Sequence, residues 1–335
     1  MTDAPPPARA RRLAVTALAS AVGVALLVWQ VQKVGLATIR ADLAAVGVAG
    51  FVALLVLSLL RFVARSVAWS TLIGARVPFA STLAASISGD ALGNLTGPLS
   101  IVIGEPAKAV YLGHRISTAQ GLAALAAENF FYGVSVAMYI VLGTAALLTA
   151  FSVDAAIRWA GVISLGAMAA VLAAAGWLAW QKPSVASAML SRVPFARLGA
   201  VVERVRDFEV RTYGSVGQQS VRLDIVIACE TAFHVLSYAE AWLTLWLLTG
   251  RSSPLEAFVL DTFSRVSNIA FRVVPLRLGL DQLGSEAVAL AMGMRAGIGT
   301  SLSLVRTGRV LVWAAVGVGL LLRRGWRSRI GSPAR

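Results

Sequence analysis

The sequence predicts an all-α polytopic membrane protein, with about six full spans plus two broken, re-entrant helical hairpins arranged as an inverted-topology repeat. Three observations predict it. The chain is 58% hydrophobic and 14% charged, with mean hydropathy +0.76, whereas a soluble domain is roughly half apolar and about a quarter charged. Several apolar runs reach the ~20 residues that a helix needs to cross the hydrocarbon core. Two stretches interrupted by Gly and Pro stand in corresponding places of the two halves, a pattern that points to the binding site of a transporter.

The spans follow in order. The first covers about Leu13 to Val31, after a basic, Pro-rich arm of residues 1–12. No cleavage site of small residues follows it, so it reads as an uncleaved span. A short outer loop is expected to hold Lys33, Arg40 and Asp42. The second span runs from about Val48 past Arg61 and Arg65 to Leu72. The third covers Gly121 to Leu148, the fourth Ala160 to Trp180, the fifth Ile225 to Leu248 and the sixth Ser301 to Leu322. Residues 323–335 form a basic tail. Residues 182–224 carry many Arg, with Val201, Val205 and Phe208 at roughly helical spacing, and read as an amphipathic connector on the cytoplasmic surface.

The broken segments are Ala80 to Leu112 and Leu255 to Ala296. In each, an Asn (Asn94, Asn268) precedes a Pro (Pro98, Pro275) and a glycine-interrupted apolar stretch. Gly104 and Gly284 are each followed, nine positions on, by Gly-x-Arg. The repeat halves divide after the third span, at about 13–149 and 157–322, within one membrane domain covering 13–322. Arg-rich arm, connector and tail all fall on one side in this count. The positive-inside rule makes that side cytoplasmic.

Net charge is +14, and only three of the 30 basic residues are Lys. Cytoplasmic loop charge and contact with anionic lipid account for this excess. No soluble basic module is present, so nucleic acid is not an expected partner. Cys229 is the lone cysteine and sits in an apolar run, which leaves no internal disulfide or thiol metal site. No P-loop pattern supplies an ATPase.

Charges within spans are costly and mark functional sites by default. Arg61 and Arg65 lie four apart on one face of the second span. Glu128 and Asn129 lie in the third span, Glu230, His234 and Glu240 in the fifth, and Arg306 and Arg309 in the sixth. Asp261, Arg265, Arg272 and Arg277 lie in the second broken segment. Aligning Gly113 with Gly293 sets Glu128–Asn129 near Arg309. Aligning Asn94 with Asn268 sets Arg65 near Glu240. One half therefore carries acid where the other carries base. Structural ion pairs between the halves are one reading; a polar mid-membrane cavity that binds a lipid phosphate is the other. Helix N-termini of the broken segments would add donors to the same anion. Glu128 and Glu230 are the candidate proton carriers. Glu230 and His234 alone do not make a metal set, and no metal or other cofactor is expected.

Arg61 to Trp69, the Asn94–Pro98–Gly104–Glu105 segment, Glu128–Asn129, and the Pro275–Gly279–Gly284–Glu286 segment resemble the lysylphosphatidylglycerol synthase transmembrane-region family, also called flippase-like membrane proteins. The resemblance runs from about residue 13 to 322. It implies a lipid-handling membrane domain without the soluble synthase of the fused members. The expected function is a lipid flippase for an anionic or modified phospholipid, a hopanoid or a glycolipid in the bacterial inner membrane, with both termini cytoplasmic. Membrane lipids are the expected partners, with lipid-synthesis enzymes as further ones. The resemblance adds Asn94, Pro98, Gly104, Glu105, Pro275, Gly279 and Glu286 to the substrate-binding candidates Arg61, Arg65, Glu128, Asn129, Arg272 and Arg277. The stretch Pro275-Leu276-Arg277-Leu278-Gly279 departs from the family's small or uncharged residues there, which points to an altered headgroup choice. The competing readings are a polytopic lipid-modifying enzyme, such as a polyprenyl-dependent glycosyltransferase, and a non-catalytic scaffold. The outer loop offers only Asp42 as a metal-binding acid, which argues against the enzyme, and the many intramembrane charges argue against the scaffold.

Overall fold

The computed structural model describes residues 21–22, 24–73, 76–96, 100–113, 115–180, 222–251, 254–271 and 274–330. Among the described residues the chain is helical, with no strand. The elements are α1 (Val24–Val34), then α2 (Leu36–Ile73), α3 (Phe79–Leu95), α4 (Ser100–Tyr111), α5 (Thr118–Ala150) and α6 (Ala155–Trp180). They continue with α7 (Leu223–Thr249), α8 (Pro254–Ala270), a 3₁₀ turn (Pro275–Arg277), α9 (Leu280–Ala291) and α10 (Ile298–Ile330). The connector expected over 182–224 lies outside the described residues, apart from Arg222–Asp224 at the start of α7.

Four described helices are long and apolar enough to cross a membrane: Leu36–Ile73, Gln120–Ala150, Ala155–Trp177 and Ile298–Arg324. The fifth expected span, α7, has 27 residues but carries Asp224, Glu230 and Glu240. Its carboxylates are what lower its apolar character. Gly250 closes it in a left-handed conformation (φ 65°), which a glycine adopts without a Cβ clash.

The repeat is visible in element lengths. Helices α3 and α8 both have 17 residues, α4 and α9 both 12, and α5 and α10 both 33. Phe79 and Pro254 differ by 175 positions, and Ser100 and Leu280 by 180, as do Thr118 and Ile298. Helices α2 and α7 occupy equivalent places, each leading into a hairpin. Gly50 packs on Leu247 and Arg61 reaches Glu240, so one helix index rises as the other falls. Equivalent helices thus run antiparallel, as an inverted repeat requires.

Each broken segment is a hairpin of short helices. At 1.5 Å per residue, 12 residues extend about 18 Å, well short of the ~30 Å hydrocarbon core. In the first hairpin a Cβ on Gly104 would sit 2.8 Å from Gly93 Cα, so the two backbones touch. Such approaches are how small residues hold membrane helices together. The halves then exchange hairpins. Helix α3 packs on α10, where Gly317 abuts Ile87 and Ala91. Helix α8 packs on α5, where Gly143 abuts Thr262. Ile87 and Thr262 are equivalent positions, 175 apart.

Two expectations need correction. Residues 36–46 are not an outer loop but a helical arm continuous with α2, broken at Gly47 (φ 62°, ψ 174°). Asp42 is buried there, bonded to Arg295 and, at 2.6 Å, to Ser301 Oγ. An acid consumed by these partners is not a free loop ligand for a metal. The sixth span also runs further at both ends than Ser301–Leu322, and carries Arg323 and Arg324 of the expected tail as helix.

Candidate functional site

Helix α2 carries Arg61 and Arg65 one turn apart on the face that looks inward. Arg65 grips Glu128 of α5 with two parallel bonds, Nε to Oε1 and Nη2 to Oε2, both 2.6 Å. This is the fork-to-carboxylate geometry that makes arginine pairs strong and directional. Nη2 also donates to Asn129 Oδ1 at 3.2 Å, and Asn129 Nδ2 donates to Glu105 Oε2 at 2.9 Å. Lys108 Nζ reaches Glu105 Oε1 at 2.8 Å, one turn along α4. A continuous chain of charge therefore ties α2, α5 and the first hairpin.

Arg61 pairs with Glu240 of α7 at 2.9 Å, and Arg309 of α10 approaches the other oxygen of Glu240 at 2.6 Å. Arg309 Nη1 also donates to Ser58 Oγ at 3.0 Å. Arg65 and Glu240 are equivalent positions (175 apart), as are Asn129 and Arg309 (180 apart). The first half thus joins base on α2 to acid on α5. The second joins acid on α7 to base on α10, the same bridge with its polarity reversed.

Two more pairs lie deeper. Asp261 and Arg265 meet at 3.0 Å within α8, and Ser237 Oγ donates to Asp261 Oδ1 at 2.9 Å. Asp281 accepts from Ser303 Oγ at 2.7 Å and from Arg306 at 3.3 Å. Aromatic faces cover the cations: Arg65 lies 4.1 Å from the Tyr132 ring centre, Arg265 4.2 Å from Tyr139 and Arg61 4.6 Å from Phe233. Stacking of this kind suits the planar, weakly hydrated guanidinium.

Part of this network lines a cavity of about 920 Å³ between the two hairpins, while Glu240, Asp261, Asp281 and Arg306 are not on its wall. Arg61, Arg65, Asn94, Gly104, Glu105, Glu128, Asn129 and Arg277 are all on its wall. A second, small cavity of about 60 Å³ shares Arg61, Arg265, Arg277 and Arg309 with it. Arg277 differs from every other arginine there. Among the described residues it makes no ion pair, and its guanidinium donates only a 3.5 Å bond to Asn94 Oδ1. Its backbone is left-handed (φ 54°), as is that of Leu276 (φ 53°). For side-chain-bearing residues this conformation costs on the order of 1–3 kcal/mol each and clusters at functional sites. Pro275 opens the 3₁₀ turn that carries them, and Gly279 (φ 77°) starts α9 behind it.

Other candidates lie elsewhere. Glu286 is buried away from the cavity wall; its carboxylate accepts from Gly297 N (2.6 Å), Thr300 N (2.9 Å) and Thr300 Oγ1 (3.0 Å), at the N-terminus of α10. That is where a carboxylate satisfies orphan backbone donors and meets the positive end of the helix dipole. Glu230 is buried off the wall, one turn from His234, whose Nε2 lies 2.9 Å from Ser135 Oγ. Pro98 and Arg272 lie outside the described residues. Among the described residues no cluster of three or more His, Cys, Asp or Glu has metal-binding proximity. Sequence reasoning missed Tyr132, Phe233 and Asp281. Tyr132 was within reach of it, because it stands one helical turn after Glu128 on the same face.

A cavity of paired charges between two inverted hairpins is the setting for the comparison with known families. Residues 16–319 match the model of the lysylphosphatidylglycerol synthase TM region. The chain belongs to that family. It is accordingly a membrane protein of lipid-related function. Neither the curated proteins nor the solved structures contain a match to the chain.

Proposed function

We propose that this member of the lysylphosphatidylglycerol synthase TM-region family moves a phosphate-bearing lipid across the membrane, binding its headgroup in the cavity between the hairpins. One observation carries the reading: Arg277, on a strained turn at the tip of the second hairpin, faces the cavity without a carboxylate partner. The other cations there already have acids. A guanidinium with free donors in a cavity is suited to grip a phosphate with two bonds. Asn94, from the first hairpin, sits against it and supplies a neutral contact that a ligand would displace.

The inverted repeat supports transport over a static binding role. Exchanging the conformations of the two halves would turn a cavity open beside the first hairpin into one open beside the second. The surrounding ion pairs would hold the walls while the tips move.

The test is lipid movement in liposomes containing the purified chain, with anionic, zwitterionic and cationic headgroups compared. Arg277→Ala is expected to slow movement of the preferred lipid by at least about tenfold, one bidentate charged contact, while leaving the melting temperature within a degree or two. Movement of every lipid at the wild-type rate in Arg277→Ala would sink the assignment, and so would absence of movement from folded protein.

A further inference from the structure

Helices α5 and α6 are antiparallel neighbours joined by a short turn, and α5 is the main helix that α6 packs against. They close tightly beside the turn, where a Cβ on Gly161 would lie 3.0 Å from Leu148. Further along, Gly133 of α5 has no neighbouring atom within 4 Å of where a Cβ would stand, and it lies on the wall of the large cavity, which leaves a slot between α5 and α6 there. Through this slot Met168 and Val171 of α6 reach the wall of the large cavity, opposite Phe130, Gly133 and Val136.

Every one of those wall residues is uncharged and apolar, while the wall beyond them carries Arg65, Glu128 and Asn129. The cavity thus changes character along its length, from paired charge to hydrocarbon. Val171 lines the cavity and is 44% exposed, and it stands on a candidate membrane span with only 6% of its apolar window buried, so this end of the wall adjoins the outward face of α6. A volume of about 920 Å³ is at the top of the roughly 300–1,000 Å³ usual for small-molecule sites, more than a headgroup needs.

We infer that the slot between α5 and α6, floored by Gly133 and bordered by Met168 and Val171, is a lateral portal that holds an acyl chain of the transported lipid while its headgroup occupies the polar end of the cavity. This rests on the headgroup reading for the polar end only. The slot's continuity with the charged wall selects an amphiphile over a fully apolar molecule. Its opening on the lipid-facing side lets the chain remain in hydrocarbon throughout.

The test uses the full chain in liposomes with a phospholipid that carries a photoactivatable diazirine near the end of one acyl chain. Adducts mapped by mass spectrometry are expected on Met168, Val171 and the 130–137 stretch, at least about fivefold above those on the exposed α2 residues Val52 and Val56. Gly133→Trp fills the slot and should cut its adducts at least about tenfold. Val162→Trp, on an exposed part of α6 away from the wall, should leave them unchanged. Should Gly133→Trp not fold, Val171→Trp blocks the same opening. Equal labelling of α2 and the slot overturns the proposal, as does a slot without adducts because another part of the chain fills it. Slot adducts that persist unchanged in Arg277→Ala would refute the headgroup assignment and leave the portal standing.

Discussion

The two hairpins are built from helices of the same lengths and hold the same place in their halves, yet their interiors differ. In the first, Gly104 meets the backbone of Gly89 and Gly93, so the helices touch with nothing between them. In the second, the equivalent Gly284 meets the ring of Phe263, with a would-be Cβ only 2.1 Å from its Cζ. The residue equivalent to Phe263 in the first hairpin is Ser88. A thin hairpin leaves space beside it, and the large cavity lies there. The thick hairpin fills its side with Phe263 and with the Asp281–Ser303–Arg306 cluster. One architecture therefore yields an open and a closed flank from a few side-chain volumes.

Breaking the thin hairpin is expected to have the largest effect. Gly104→Leu forces four carbons against backbone, and overpacking typically costs about 1–3 kcal/mol and occasionally more. Thermal unfolding in detergent should show it; a melting temperature within a degree of wild type would mean that the hairpins do not touch as described. Next come the reversed bridges. Arg65→Met strands Glu128, whose side chain is 2% exposed, and breaking a buried pair costs about 3–5 kcal/mol. The double variant Arg65→Met/Glu128→Leu should recover most of that loss. Arg309→Met should cost less than Arg65→Met, because Glu240 keeps Arg61. Equal losses would contradict the unequal sharing of acids between the halves.

The open and closed flanks can be read by thiol labelling in a Cys229→Ala background. Glu105 lines the cavity, whereas its equivalent Ser285 is fully buried. Glu105→Cys should react with a water-soluble reagent at least about tenfold faster than Ser285→Cys. Comparable rates would show that both flanks open to similar extents. The smallest expected change is in Glu230→Gln. Neither carboxylate oxygen of Glu230 has a hydrogen-bond partner among the described residues. If this acid carries the coupling proton, the variant retains downhill lipid movement and loses its response to an imposed pH gradient; a retained response removes Glu230 from that role.

Much of this organisation was legible in the sequence, for reasons that differ by residue. Charges in apolar runs stand out, so Arg61, Arg65 and Glu128 were legible as candidates that the fold sets on one cavity wall, and alignment of the Gly-x-Arg signatures brought neutral Asn129 near Arg309. Arg277 stood out because it interrupts an otherwise uncharged turn. Helix lengths in the repeat were hidden, since neither end of a broken segment carries a strong cap and apolar composition continues across the breaks. Asp42 looked like a loop residue because polar groups cluster around it. Only the fold reveals that Arg295 and Ser301, more than 250 positions later, take up its carboxylate. Glu286 posed the same difficulty: its role depends on α10 starting 12 residues further on.

The bridge between Arg61 and Glu240 spans 179 residues of chain, which gives the molecule a history during synthesis. At about 5–20 residues per second, the ribosome needs on the order of 10–40 s to make the second residue after the first. For that interval the inserted first half carries a cation in the membrane whose acid does not yet exist. A second copy of the same half would offer it Arg65 in place of Glu240, like charge against like. Pairing of two first halves is therefore unfavourable at this position, and the reversed polarity of the repeat matches each half to the other.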